Sequence, residues 1–406
     1  MRALYYVCWN NLYVESVKFS ELIMKKEKEV TIFATLPPLI GISEHVVGRS
    51  AELKKYVNFE IISFKSLYPR FLHPAKKTMT PEWRFEDSDI DYFYIIKYYD
   101  PLSWIYAGLK ARGKIFHFHY WNSFLYFFYL PIVIIGKLRK RKILFEIHNI
   151  ETHEKNRLDK FVLDWIVDVS DAIVVHTKEM KRILQSRYPE ASNKVFVIPP
   201  GVYNFYGVPI DKKLARKKLG LKPEDKVVLF FGNIRPYKGL ELLVDALEIL
   251  IKKNGKDYIL LVAGRDWGLW ESIEKSIYEK GLQEYVKAFP SYIPKEDVKY
   301  FFSAADVIVL PYLQFSSQSA VVLVSLNFGL PFLAPDFECF KEFPGEKFLF
   351  KSGSSDSIAE YIEKFFKNQS FREELTSIIL QKKDEYSWSS IALKFKEIYE
   401  YLRGGL

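Results

Sequence analysis

The sequence predicts an α/β fold built as two doubly wound domains of similar size that face each other across a cleft. Three observations carry this expectation. Short apolar runs of strand length alternate with helix-length segments along most of the chain, the pattern of βα units around a mostly parallel sheet. The alternation is interrupted by the Pro-, Gly- and aromatic-containing run Pro199 to Lys213, and it resumes at Val227. At 406 residues the chain is also too long for one ordinary core.

Taken in order, the first half offers strands at 3–7, 30–33, 59–62, 92–96, 115–119, 143–147, 172–175 and 195–198. The second series runs 227–231, 258–264, 286–291, 306–312 and 330–335. The last apolar-periodic stretch, 389–404, reads as a closing helix. We place residues 1–203, with the C-terminal helix of 388–406, in the first domain and 204–387 in the second. Ligands of open α/β folds bind beyond the C-terminal edges of the strands, so the cleft is the expected site.

Hydrophobic content of 49% with 27% charged residues describes a folded chain rather than a disordered one. The net charge of +9 admits anionic partners without choosing among nucleotides, lipid headgroups and nucleic acid. Scattered basic residues without a recognised motif argue against nucleic acid. Cys8 and Cys339 lie in opposite halves with no CxxC or Cys/His cluster, which points to neither a disulfide framework nor a zinc site and fits a reducing cytoplasm. The opening "MRALYYVCWNN" lacks a signal-peptide pattern and reads as a first strand. The longest apolar run, Phe124 to Ile135, is too short to span a bilayer, contains Pro131 and is followed by the basic Lys137 to Lys142. It is read first as a core helix with cations at its C-terminal end. The alternative is an interfacial helix held against an anionic membrane surface.

The stretch 227–253 supplies the sharpest signal. Val227 to Phe231 is an unbroken apolar run suited to a strand covered on both faces, Gly232 ends it, and Leu240, Leu243, Val244, Leu247 and Ile251 mark one face of a helix. Arg235 and Lys238 fall where that helix begins. A first helical turn already carries unpaired N–H groups and partial positive charge, so further cations there raise the energy unless an anion arrives. Backbone amides at the turn, Arg235 as a fork and Lys238 as a point charge would together take a phosphate or diphosphate. The bland reading is a solvated loop whose cations pair with surface carboxylates.

In order and approximate spacing these motifs resemble the GT-B fold glycosyltransferases of the group 1 (family 4) class, over most of the chain and most densely after Val195. The family's Gly-x-φ-x-Pro-x-Lys-Gly loop, φ being apolar, is matched by Gly232, Asn233, Ile234, Arg235, Pro236, Tyr237, Lys238 and Gly239. "VIPPGV" (197–202), "SDAIVVHTKEMKRIL" (170–184), "LLVAG" (260–264), "SAADVIVLPY" (303–312) and "FGLPFLAP" (328–335) follow suit.

The resemblance implies two Rossmann-like domains and transfer of a sugar from a nucleotide diphosphate sugar to a saccharide or lipid-linked acceptor, with retention. It implies no metal and no cofactor beyond the donor substrate. Lys238 and Arg235 would hold the donor diphosphate together with Gly232 and Asn233, although the family commonly has Arg where Asn233 stands. His148, ending "ILFEIHN", would lie near the transferred sugar, while His117 and His119 share one face of a strand and read as structural. Base recognition would fall near Tyr292 and Ile293. The family's first-loop Gly pair is replaced by Trp9, Asn10 and Asn11; asparagines tolerate the left-handed backbone, and Trp9 offers a stacking face. A larger departure concerns two glutamates eight positions apart that read donor sugar and ribose, because Ser316 and Val324 occupy their places. Ser317 and Ser319 offer hydroxyls at a helix start, and amides at Ser319 and Ala320 could still bind phosphate.

Rival readings are an epimerase or phosphorylase on the same fold, or a non-catalytic nucleotide-sugar-binding protein. The Asp-x-Asp in "DSDID" (87–91) lies before a strand in the first half and reads as a solvated loop, not a metal site. The 232–239 string is no P-loop either, since Lys precedes the final Gly without a following Ser or Thr.

Overall fold

The computed structural model describes residues 27–39, 42–67, 85–150, 157–254, 257–315 and 319–404. The expected strand 3–7, the loop residues Trp9, Asn10 and Asn11, and Ser316 and Ser317 lie outside the described residues.

Two parallel sheets organise the chain. The first holds β1 (Lys28–Phe33), β2 (Phe59–Ser66), β3 (Asp91–Lys97), β4 (Gly113–Tyr120), β5 (Lys142–Ile147), β6 (Ala172–Val175) and β7 (Val195–Val197), in the order β3-β2-β1-β4-β5-β6-β7. The second holds β8 (Lys226–Phe231), β9 (Tyr258–Ala263), β10 (Val286–Phe289), β11 (Val307–Val309), β12 (Phe332–Pro335) and β13 (Leu349–Phe350), in the order β10-β9-β8-β11-β12-β13. In each sheet the order reverses once, between β1 and β4 and between β8 and β11. Loops leaving the two strands at such a reversal turn to opposite faces, and a crevice opens between them.

The strands form where apolar runs are covered on both sides. The central strands β4, β5 and β8 are buried almost throughout, and helices on each face supply the cover. Helix α1 (Ile42–Leu53) lies on one face of the first sheet, while α2 (Pro101–Lys110) packs against α3 (Leu125–Leu138). In the second domain α4 (Leu240–Asn254) follows β8, and α5 (Ala320–Phe328) follows the loop after β11. The closing helix α6 (Trp388–Leu402) returns to the first sheet. Its Ile391, Phe395, Ile398 and Leu402 share a core with Val30, Ile32 and Ile61.

Two sequence expectations take their form here. Phe124 to Ile135 is a core helix on one face, with Phe128, Tyr129, Ile132 and Val133 buried, and Pro131 is accommodated inside it. Much of the following basic cluster is used internally: Lys137 and Lys142 pair with Asp171, Arg141 with Glu27, and Arg139 donates to the carbonyls of Gly108, Leu109 and Ala111 at the end of α2. Among the described residues no helix is long and apolar enough to cross a membrane. In "DSDID", Asp87 and Asp89 pair with Lys54, and Asp91 opens β3 bonded to Arg112. The short strand β13 was not anticipated, because two residues carry no readable periodicity.

Candidate functional site

The site grows from the C-terminal ends of β8 to β11. After Phe231 the chain leaves the sheet at Gly232, whose N–H donates to Ala263 O at 2.9 Å, and Ile234 N donates to Arg265 O at 2.9 Å. The loops after β8 and β9 are thereby held together by backbone. Their contact is close enough to require glycine: a Cβ on Gly264 would fall 1.8 Å from Gly232 O, and one on Gly239 2.0 Å from Pro311 O, with φ of +65° at Gly239. Pro236–Lys238 forms a single 3₁₀ turn, Gly239 terminates it in the left-handed region, and α4 begins at Leu240.

These loops surround a cavity of about 440 Å³, within the size range of small-molecule sites. Gly232, Asn233, Lys238, Arg265, Tyr292, Ile293, Ser319, Ala320 and Val324 are among its lining residues. The structure thus gathers the expected phosphate loop, the expected base-recognition pair and the start of α5 around one space. Ser319 is the N-cap of α5, with its hydroxyl 3.1 Å from that of Tyr312.

Lys238 is the central side chain. It is buried, with its ammonium 3.6 Å from the centre of the Tyr312 ring, and among the described residues no carboxylate pairs with it. Burial, seconded by the nearby Arg235, pulls its pKa down to about 7. A buried cation without a counter-ion is what an anion site looks like before the anion arrives.

Arg235 departs from expectation. Its guanidinium stacks on Trp267 with its central carbon 3.9 Å from the ring centre, and it is not among the residues lining the cavity. Arg265 lines the wall instead. The sequence signal for it was available: a cation directly after the Gly that ends β9 occupies another strand-end loop, but no helix-start pattern drew attention to it.

The first domain brings together a different constellation. His117, His119, Glu146, His148 and His176 converge from β4, β5 and the end of β6, with Arg49 entering from α1. His176 Nδ1 lies 2.9 Å from Ile198 O, His148 Nδ1 3.0 Å from His176 Nε2, His119 Nδ1 2.9 Å from His148 Nε2, and Arg49 2.7 Å from His119 Nε2. A carbonyl can only accept and a guanidinium can only donate, so both ends fix one direction: each of the three histidines is neutral and protonated on Nδ1. Burial also holds His119, His148 and His176 below the ordinary imidazole range. Arg49 is neutralised by Glu146 at 2.5 Å, and although burial pushes that carboxyl up, the guanidinium and the surrounding histidines together outweigh it and keep Glu146 well below the carboxylate range.

This geometry corrects the role drawn for His148. It stands at the end of β5 as expected, but both ring nitrogens are engaged by other histidines, leaving none free for a sugar hydroxyl. His117 and His119 are buried and stacked on one face of β4, the structural arrangement their alternation implied. Two triads, His117/His119/Glu146 and Glu146/His148/His176, have ligand atoms within 4.8 Å of one another. In the first, Arg49 already supplies the positive charge; in the second, the imidazoles bond to each other.

The two sides meet through side chains as well as chain connections. Lys295 pairs with Glu44 at 2.5 Å, and His45 Nε2 lies 3.0 Å from Tyr203 OH. Both contacts join α1 to segments near the cavity.

Residues 211–380 match the family described as "Glycosyl transferases group 1", and residues 50–203 match "Glycosyltransferase Family 4". The D-inositol 3-phosphate glycosyltransferase of Nocardia farcinica is 30% identical over 176 residues, 42% of this chain and 39% of that protein. The enzyme of the same name from Jonesia denitrificans is 26% identical over 251 residues, 59% of this chain and 58% of that protein. The aligned regions thus span less than two thirds of these relatives. Among solved structures, Anabaena HepE in complex with UDP superimposes with a TM-score of 0.68 at 15% identity, covering 92% of this chain and all of that one. The sucrose-phosphate synthase of Thermosynechococcus elongatus gives 0.66 at 16% identity, covering 93% of this chain and all of that one. Both likenesses establish the two-domain GT-B architecture.

Proposed function

Since the chain belongs to the group 1 glycosyltransferases, matched in its two halves by two profiles of that class, we propose that it moves a sugar from a nucleotide diphosphate sugar to an acceptor hydroxyl. The observation that carries the reading is the buried, carboxylate-free ammonium of Lys238 beside the glycine-held loop and the first turn of α5. As the bond between sugar and phosphate breaks, negative charge grows on the departing diphosphate. Lys238, Arg265 and the amides of Ser319 and Ala320 would receive it from fixed positions, with Arg235 adding positive potential from the rim. In this reading the cations do what a divalent metal does elsewhere, and the configuration at the transferred carbon is retained, the leaving phosphate oxygen accepting the acceptor's proton. HepE and its UDP-glucose complex, on the same fold, support a nucleotide-sugar donor. His148, with its ring nitrogens occupied, acts as a positioning residue for the acceptor side.

The test is transfer from labelled nucleotide sugars to a panel of saccharide and lipid-linked acceptors, in the presence and absence of a chelator. Turnover abolished by chelator and restored by manganese would sink the metal-free mechanism. Binding without transfer or donor hydrolysis would favour a non-catalytic nucleotide-sugar-binding protein, and the family assignment does not favour an epimerase or phosphorylase.

A lipid-linked acceptor is supported by one surface. Leu102, Tyr106 and Leu109 on α2 and Phe127, Ile134 and Leu138 on α3 stand exposed, with Lys140 after α3. Flotation with vesicles containing anionic lipid should recover the protein, and Leu102→Ser with Leu109→Ser should release it; equal recovery of both would remove the membrane from the reading.

A further inference from the structure

We propose that the donor pocket accepts the nucleoside without gripping the ribose 2′-hydroxyl, so that 2′-deoxyribonucleoside diphosphates, thymidine's included, bind at least as well as their ribo counterparts. The inference rests on the nucleotide-sugar reading above and narrows its substrate class. A nucleoside sugar is joined directly to the α-phosphate, so it lies against whatever flanks the diphosphate site. Here that flank includes α5, where Ala320 and Val324 are four residues apart and share one helical face.

Val324 lines the cavity as a buried residue, and Phe231, Val298 and Val321 line it too. No Asp or Glu is among the described lining residues. Recognition of a ribose diol calls for an acceptor that can take two O–H donors at once, which a carboxylate does well. On the α5 side the one polar side chain among the described lining residues is Ser319, whose hydroxyl is already bonded to that of Tyr312, while Lys238 and Arg265 can only donate and the acceptors Asn233, Tyr237, Tyr206 and Tyr292 stand on segments other than α5. A hydroxyl pressed against the valine face would lose its water without gaining a partner, so its removal is neutral or favourable. A site built to bond that hydroxyl would instead reject the deoxy analogue strongly.

Calorimetric titration of the whole protein with UDP, ADP and GDP, each beside its 2′-deoxy counterpart, and with thymidine diphosphate, decides the matter. The expected ratio of ribo to deoxy Kd is about one, rising toward tenfold in favour of the deoxy form. A ribo form more than about threefold tighter for the best-binding base overturns the inference and leaves the donor reading standing. Failure of every diphosphate to bind removes the donor reading itself. Val324→Glu adds the missing acceptor and should shift the ratio about tenfold or more toward the ribo form. An unshifted ratio in a folded, nucleotide-binding variant would show that the sugar does not face Val324; should the variant not fold, the paired titrations of the wild type still decide between the two outcomes.

Discussion

Replacing Lys238 by Met should abolish diphosphate binding and, at the same time, make the protein more stable. The magnitude follows from the site. An ordinary lysine titrates at 10.5, and burial, seconded by Arg235, brings Lys238 to about 7. At about 1.36 kcal/mol per pH unit, holding the ammonium charged in this pocket costs at most roughly 5 kcal/mol. The Tyr312 ring at 3.6 Å returns about 1–2 kcal/mol, so roughly 3 kcal/mol remains. Methionine keeps a similar apolar stem without the charge, and at about 1–2 °C per kcal/mol for a 406-residue chain the unfolding transition should rise by about 3–6 °C. The pH dependence supplies the signature. Between pH 7 and 10.5 the unfolded chain holds a proton on this lysine that the folded chain has released, so the wild type gains stability as pH rises through that window. The advantage of the Met variant should therefore be full near pH 6.5 and small by pH 10. Thermal unfolding of both proteins across this range measures it. A Met variant that melts no higher than wild type at pH 6.5, or keeps an undiminished advantage at pH 10, would refute the claim that an uncompensated buried ammonium sits in this pocket.

The other expectations can be checked separately. Because a diphosphate binds the protonated form of Lys238 and raises its pKa from about 7, affinity for a nucleotide sugar should fall by up to about tenfold per pH unit above that value, and a flat calorimetric profile from pH 7.5 to 9.5 would contradict the linkage. Arg265→Ala should weaken diphosphate binding by about 10- to 100-fold, more than Arg235→Ala, whose guanidinium lies on Trp267 outside the wall; the reverse ranking in titrations would return Arg235 to the contact role. His148→Ala should lower turnover while leaving nucleotide affinity within about twofold, and a loss confined to affinity in steady-state and binding assays would exclude a role on the acceptor side.

How much of this was readable in advance differs between the two halves of the site. The candidate donor side is local in sequence. Gly232, Lys238 and Gly239 lie in one loop, and the strand before it and the helix after it are each declared by periodicity, so a candidate anion site is legible there. Arg265 escaped because its role depends on β9 lying beside β8, a pairing that no local pattern encodes. The histidine array is more distant still. Its members are spread from Arg49 to His176 and meet only because β4, β5 and β6 are neighbours and α1 crosses their face. Alternation along β4 correctly put His117 and His119 on one side, but it could not reveal that His119 and His176 would occupy both nitrogens of His148.

Two parallel α/β sheets, the change of sheet after β7 and the strand–loop–helix around Gly232 to Gly239 were legible in the sequence, because each is set by short-range patterns of apolar spacing, glycine and charge. Only the tertiary structure settled which cation faces the cavity, that no carboxylate among the described residues pairs with Lys238, and that the imidazole chain runs in one direction. Those properties depend on desolvation and on partners far apart in the chain, and a charge acquires its energy from what surrounds it after folding.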